Sequence, residues 1–483
     1  MTIPALLLIV LAADGPSWPQ FRGPGGTGIA AATENPPIEF GPGKKMLWKT
    51  AIPSGHSSPV VWGDRIFLSA FHKESKKLEV LAVGRENGKI LWRRTIPVKE
   101  IEAVHEISSP ATATLAVDAA GVYAYFGSFG LIAFDHDGNQ KWELPLPLVK
   151  VQYGSGTSPV PAAGGLLILS RDEGEEPYLL AVDRRTGKVV WKQPQYVEFP
   201  GRPFNSSTPA IWKDEVVIHH RGEVVSFDLV TGTRKWFVKI NTQGANSPVA
   251  GPDAVYVGTY INQGEPDLRV PYPDFDAMLK QYDKNGDGVL TADEFPSSFL
   301  TGRRVGLEGV KGADTSMPGA RAFRAADQNQ DGRVDRAEWD AFTKKSADSS
   351  NEHGLVAITA GGTIAWKEPR GVPEIPMPLW FQNRVYAVAN GGTVSSMDAA
   401  TGKVVFRGRL GAPGAYFSSP VAAGGRIYFS SGEGVITVIS SGNQLEVLAK
   451  NDLGEALFAT PAFAGNAVYI RTPTMLYAFG ERK

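Results

Sequence analysis

One unit recurs through most of the chain, and it restricts the fold before any single residue does. Ser or Thr with Pro opens the unit. A small-residue turn, an aromatic-rich strand and an apolar strand ending in Asp follow, then Thr-Gly-Lys and a strand carrying Trp. In the third copy Thr157-Ser158-Pro159-Val160 leads through Gly164-Gly165 to Leu166-Leu167-Ile168-Leu169. Leu179-Leu180-Ala181-Val182-Asp183 and Thr186-Gly187-Lys188-Val189-Val190-Trp191 complete it. The opening prolines read as Pro59, Pro110, Pro159, Pro209, Pro248, Pro378, Pro420 and Pro461, eight copies. The Trp position recurs at Trp48, Trp92, Trp142, Trp191, Trp236 and Trp366, with Phe406 and then Val447-Leu448 in its place.

Each unit reads as four short strands, and Gly88, Gly138, Gly187, Gly232 and Gly402 supply the positive φ of a hairpin turn. A four-stranded sheet cannot bury both faces alone, so such units stack radially around an axis as propeller blades. The expected fold is therefore all-β, an eight-bladed β-propeller. Its last unit, Thr460-Pro461 to Phe479, stops before any Trp strand, whereas Lys45-Met46-Leu47-Trp48-Lys49-Thr50-Ala51-Ile52 is a Trp strand with no blade of its own. This N-terminal strand is expected to complete the eighth blade and close the ring, removing the exposed sheet edges. The Trp set is assigned to packing between blades, not to ligand stacking.

Composition narrows the function. Lys+Arg 49 against Asp+Glu 50 leaves a net charge of -1, with no basic surplus for nucleic acid. With no Cys, disulfides, thiolate metal sites and thioether haem attachment are excluded, so any metal must be held by oxygen or imidazole. Ile3 to Leu11 is an apolar run ahead of Ala12, Ala13 and Asp14, of signal-peptide rather than membrane-spanning length. No other stretch is long and apolar enough to span a bilayer, so the expected location is periplasmic or secreted. The expected divisions are an export signal at 1–13, a lead-in at 14–45, propeller at 46–265, an insertion at 266–350 and propeller at 351–483.

The insertion announces itself by spacing, since the openers Pro248 and Pro378 stand 130 residues apart. Inside it, Asp283, Asn285, Asp287, Thr291 and Glu294 occupy loop positions one, three, five, nine and twelve, with Gly288 at six. Asp327, Asn329, Asp331, Asp335 and Glu338 repeat the order around Gly332. A large hard cation takes six to eight oxygens, so alternate side chains converge on it. The carbonyls of Val289 and Arg333 add one oxygen each, and Glu294 and Glu338 close the sphere. These are EF-hand loops, and two Ca2+ sites are expected. Phe275, Met278, Leu279 and Tyr282 before the first loop, and Phe323, Ala326, Trp339 and Phe342 around the second, have helical spacing. Pro296, just past Glu294, should shorten or kink the exiting helix of the first hand.

The Ser-Pro openings and Asp-x-x-Thr-Gly-Lys-x-x-Trp endings resemble the PQQ-like propeller repeats, the family of quinoprotein alcohol dehydrogenases and of the outer-membrane assembly lipoprotein BamB. Trp18-Pro19-Gln20-Phe21-Arg22-Gly23-Pro24 and the His56-Ser57-Ser58-Pro59 start look like an exported branch of it. The resemblance implies a quinone site over the axis, with an Asp base and a calcium held by Glu, Asn and Asp. The strand starts that should rim the axis carry His56, His105, Tyr153, Arg202, Asn205, Asn246, Tyr416 and Phe458, with Glu106 as the nearby acid and no Asp. His56, His105, Arg202, Asn205 and Asn246 are the candidate cofactor-binding rim.

Other patterns carry less. Adjacent His219 and His220 point to opposite faces of a strand and cannot chelate one ion. Gly23 to Gly28 reads as an irregular lead-in. Two readings stay open: a non-catalytic, calcium-binding exported propeller that holds a protein or small-molecule ligand at one face, and a PQQ-dependent dehydrogenase of alcohols or sugars; a third, a polysaccharide-binding or cleaving propeller, is allowed by the aromatic rim but has no positive motif. The first is preferred, because the rim offers no base for hydride chemistry.

Overall fold

The computed structural model describes residues 15–171, 177–195, 207–220, 222–303, 314–412 and 414–482; the expected export signal, Arg202 and Asn205 lie outside them. Among the described residues eight antiparallel sheets form the blades. The repeat unit explains each one. In the third blade Val160–Ala162, Leu166–Arg171, Tyr178–Asp183 and Val189–Pro194 pair in order. The Asp183 carboxylate accepts the Arg185 and Thr186 N–H groups and the Thr186 hydroxyl, at 2.9 to 3.0 Å, while Gly187 takes φ 70°. That turn fixes the hairpin between the third and fourth strands. These bonds, the Thr186 hydroxyl first, hold the Asp183 carboxyl below the usual range.

The fourth strand then docks its Trp on the next blade. Trp142 Nε1 donates to the Arg184 carbonyl at 2.9 Å, and its ring packs so closely on Gly187 that an added Cβ would stand 2.5 Å from it. Trp92, Trp191 and Trp366 repeat this on His136, Leu229 and Ala399. Trp236 stacks near Gly362 but donates within its own blade, to Glu215 at 2.7 Å. The Trp set is therefore the packing between blades.

The eighth blade consists of Ala462–Ala464, Ala467–Arg471 and Met475–Phe479, with Met46–Ala51 as its outer strand. The ring closes through the N-terminal strand as expected. The second blade is phased differently from its sequence reading. Its first strand is Ala116–Asp118, preceded by Thr114-Leu115, so Pro110 is not the opener. Ser109 and Pro110 instead form a turn in the preceding loop, where Ser109 Oγ accepts the Ala111 N–H at 3.2 Å.

The short first strands of neighbouring blades touch one another and so surround the axis. The lead-in crosses that axis. Ser17–Trp18 pairs with the first strand of blade one, the Pro19 carbonyl accepts the Val117 N–H, and Gly28 and Ala30 bond Ala422 of blade seven. Trp18 is fully buried edge-on against Phe463. Residues 17–30, which include the Gly23 to Gly28 stretch read as irregular lead-in, thus cover the far end of the axis.

The insertion leaves blade five after Ala254–Thr259 and returns at Gly354–Thr359, the second and third strands of that blade. It holds α1 (Phe275–Tyr282), α2 (Gly319–Ala326) and α3 (Arg336–Ser350) around its own core of Phe275, Met278, Phe299, Phe323, Trp339 and Phe342. The first hand has no exiting helix. After Pro296 the chain becomes a strand, Ser298–Gly302, paired with Thr315–Pro318, and Phe295 and Phe299 fill the space.

Candidate functional site

In every blade but the sixth, which has Met377, the loop arriving from the previous blade meets the first strand at a Ser or Thr. These hydroxyls link blade to blade: Ser58 N–H donates to Thr114 Oγ1, Thr114 to Ser158, Ser158 to Thr208 and Thr208 to Ser247. Beyond the sixth blade Met377 N–H donates to Ser419, Ser419 to Thr460, and Thr460 back to Ser58. All run between 2.7 and 3.1 Å. Seven hydroxyls and Met377 thus ring the axis, and all eight line a cavity of about 610 Å³. Phe21 of the lead-in also lines it. The cavity is therefore a cup with the covered end below, not a through-channel.

One wall is aromatic. His56 stacks on Phe458 with centroids 4.2 Å apart and planes 9° apart, and Phe458 meets Phe417 at 5.0 Å. All three are half-buried and face the cavity. Burial, with Arg471 and Lys73 nearby, pushes the His56 imidazole down to about 4, so it is neutral at pH 7. Amides and hydroxyls of Gln152, Gln243, Asn262 and Thr242 complete the walls.

Two charged groups among the described residues line the cavity, and the sequence reading had neither. Glu374, in the loop entering blade six, accepts from Asn390 Nδ2 at 2.8 Å. It stands four residues before Pro378, in the one blade whose entry loop contributed nothing to the candidate rim. Glu106 is exposed and does not line the cavity. Arg321 comes from α2 of the insertion. The EF-hand unit therefore stands at the mouth of the cup, on the same face rather than on one of its own. Its root is stiff: His353 is buried, with Nδ1 accepting the Ile261 N–H at 2.9 Å, and Arg269 bonds Gln263, Gly264, Ser350 and Asn351.

The other rim candidates disperse. His105 packs against Tyr153, which lines the mouth, but His105 itself does not line the cavity. Asn246 is fully buried, its carboxamide spent on both backbone groups of Gly258 and on the Pro373 carbonyl. Tyr416 is buried with its hydroxyl on Ala412. His219 and His220 are buried in blade four, His219 beside the Asn246 carbonyl and His220 beside Glu223.

In the EF-hand loops Leu290-Thr291 pairs with Arg333-Val334, which couples the two loops back to back. Asp283 accepts the N–H groups of Gly286 and Gly288, Asn285 that of Asp287, and Asp287 that of Val289. Asn329 and Asp331 repeat this with Asp331 and Arg333. Gly288 and Gly332 both take φ 81°, as the sharp turn requires. Glu294 folds back to accept from Lys284 and Thr291, and Glu338 from Gln328, Asn329 and Asp335. Bonds from Thr291 and Lys284 hold the Glu294 carboxyl down to about 2. Among the described residues no three carboxylate or imidazole groups are drawn tightly enough together to form a ready-made metal cluster. Asp327 Oδ1 is shut off from solvent with no protein partner.

The profile of the EF-hand family matches residues 275–300 and 320–343. No curated protein matches the chain. Among solved structures, BamB from Moraxella catarrhalis shares 13% identity with a TM-score of 0.52, covering 90% of this chain and 98% of that one. The quinohemoprotein alcohol dehydrogenase from Comamonas testosteroni shares 12% with a TM-score of 0.57, covering 100% and 83%. A europium-containing methanol dehydrogenase shares 12% at 0.53, covering 96% and 98%. At such identities the likeness shows the fold alone. The family profile described as outer membrane protein assembly factor BamB matches residues 40–266 and 351–480, on either side of the insertion. The chain belongs to that family of eight-bladed propellers and carries an EF-hand pair within its fifth blade.

Proposed function

We propose that this chain is an exported, calcium-binding propeller that acts as a non-catalytic binding protein, presenting the axial cup and the EF-hand unit on one face. The observation that carries this reading is the chemistry of the cup. Its floor is hydroxyl, its wall aromatic, and among the described residues its one carboxylate, Glu374, is held by Asn390. Among the described residues no Asp lines it to serve as the general base of alcohol oxidation. PQQ fits this lining poorly. It is a planar tricarboxylate, and among the described residues a single guanidinium, that of Arg321, faces the cavity. The family description, an assembly factor of the outer membrane, supports a protein partner and a periplasmic location.

Calcium fits the loops. Asp283, Asn285, Asp287, Thr291 and Glu294, with the Val289 carbonyl, would hold one ion; Asp327, Asn329, Asp331, Asp335 and Glu338, with the Arg333 carbonyl, the second. The unpartnered, enclosed Asp327 Oδ1 is an oxygen in want of a cation or donor. Bound calcium would supply the charge that offsets these carboxylates, and the back-to-back pairing would let one loop order the other.

The test is reconstitution. Chelator-stripped protein is titrated calorimetrically with PQQ, with and without Ca2+, and then assayed for reduction of an artificial electron acceptor with alcohols and sugars. The expected result is no one-to-one PQQ heat and no reduction. PQQ binding with turnover would replace this reading by the dehydrogenase.

A further inference from the structure

The seven floor hydroxyls share an unused capacity. Each accepts a backbone N–H from the previous blade, and among the described residues none donates its own proton to a protein acceptor. A buried hydroxyl left with an unspent donor is costly unless a ligand or water takes it. The floor therefore asks for a molecule rich in acceptor oxygens.

The wall asks for something else. The His56, Phe458 and Phe417 rings form a continuous, half-buried aromatic surface with no charge on it, since His56 is neutral. A flat apolar face next to dense hydroxyls and amides matches a pyranose ring, which carries axial C–H on one face and hydroxyls at its edge. The charges agree. Among the described residues one guanidinium from Arg321 and one carboxylate from Glu374 balance in charge, and the guanidinium is a bidentate donor for vicinal hydroxyls. Among the described residues Arg321 makes no ion pair or hydrogen bond of its own, although it lies at the mouth. At about 610 Å³ the cup holds a ligand of a few sugar units.

We propose that the axial cup is a binding site for a neutral oligosaccharide, stacked on Phe458 and Phe417, hydrogen-bonded to the hydroxyl floor and capped at the mouth by Arg321 of the EF-hand unit. This rests on the non-catalytic reading above and names its ligand class. Nothing is transferred or cleaved.

Calcium-loaded, full-length protein is titrated calorimetrically with cellohexaose, maltohexaose, laminarihexaose and chitohexaose, and with hexagalacturonate as the acidic counterpart. At least one neutral probe should bind one-to-one. Phe458→Ala should weaken it about tenfold, the scale of a lost stacking ring. Arg321→Ala, on an exposed helix position and so safe for folding, should weaken it severalfold. Phe237→Ala, on the outer strand of blade four, should leave it unchanged. Binding of none of the neutral probes, of the acidic probe alone, or with an affinity indifferent to both Phe458→Ala and Arg321→Ala, would overturn the saccharide site. PQQ binding with turnover, by contrast, would overturn the reading beneath it.

Discussion

Trp48 faces Ala478 across the joint between the two ends of the chain, and its indole reaches on to donate to the Arg85 carbonyl of blade one at 2.9 Å. One residue near the N terminus thus joins blade eight to blade one. Removing Met46–Ala51 would leave Met475–Phe479 as a bare edge and strip the indole from Gly88. The deleted protein should lose cooperative unfolding and associate through that edge. Trp48→Ala alone should cost about 3 kcal/mol. Urea denaturation with light scattering checks both; an unchanged midpoint would contradict the closure.

The hairpin glycines serve two needs that can be separated. Gly187 combines φ 70° with an indole that an added Cβ would meet at 2.5 Å, whereas Gly164 has φ 72° and nothing within 4 Å. Gly164→Ala should cost about 1 kcal/mol of backbone strain. Gly187→Ala should cost about 3 kcal/mol, the excess being the lost fit of Trp142. Equal costs, measured by chemical denaturation, would contradict the docking of each Trp on the next blade.

The same two residues explain what was legible in the sequence. Trp142 and Gly187 each satisfy a local rule and a contact between blades, so a once-per-blade spacing revealed blades, closure and insertion together. Blade two was mis-phased because Ser109-Pro110 imitates an opener while Thr114-Leu115 lacks the Pro. The exiting helix of the first hand, expected shortened or kinked, is replaced outright, because Pro296 removes a helical donor and the strand after it pairs with Thr315–Pro318 while burying Phe299. The site was less legible. Asn246 and Tyr416 sit at rim-like positions, but rotation of a side chain decides between rim and core. The approach of Arg321 to the cup depends on how residues 260–272 and 350–354 leave blade five, contacts between distant segments that no local pattern encodes.

His219 carries a pH dependence. Burial, the first cause, pushes its imidazole down to about 4, with His220 adding to it and the Asn246 carbonyl opposing. The unfolded chain protonates this residue near 6.5, as model peptides do. Between about 6.5 and about 4 the unfolded state therefore binds more protons, and stability falls as pH falls through that window. The loss attributable to His219 is at most about 3 kcal/mol. Urea midpoints measured at pH 7 and pH 4.5 should converge more closely for His219→Asn than for the parent. Identical slopes would show that His219 is not protected in the folded state.

The EF-hand match suggests calcium binding by the insertion, and its direct test is a calorimetric titration of chelator-stripped protein with Ca2+, beside Glu294→Gln and Glu338→Gln. Two binding events are expected, with dissociation constants on the order of 0.1 to 1 mM. Each variant should lose one event while the propeller unfolds as before. No heat up to about 10 mM Ca2+, well above that range, or heat that survives both substitutions together, would contradict calcium binding by the two loops.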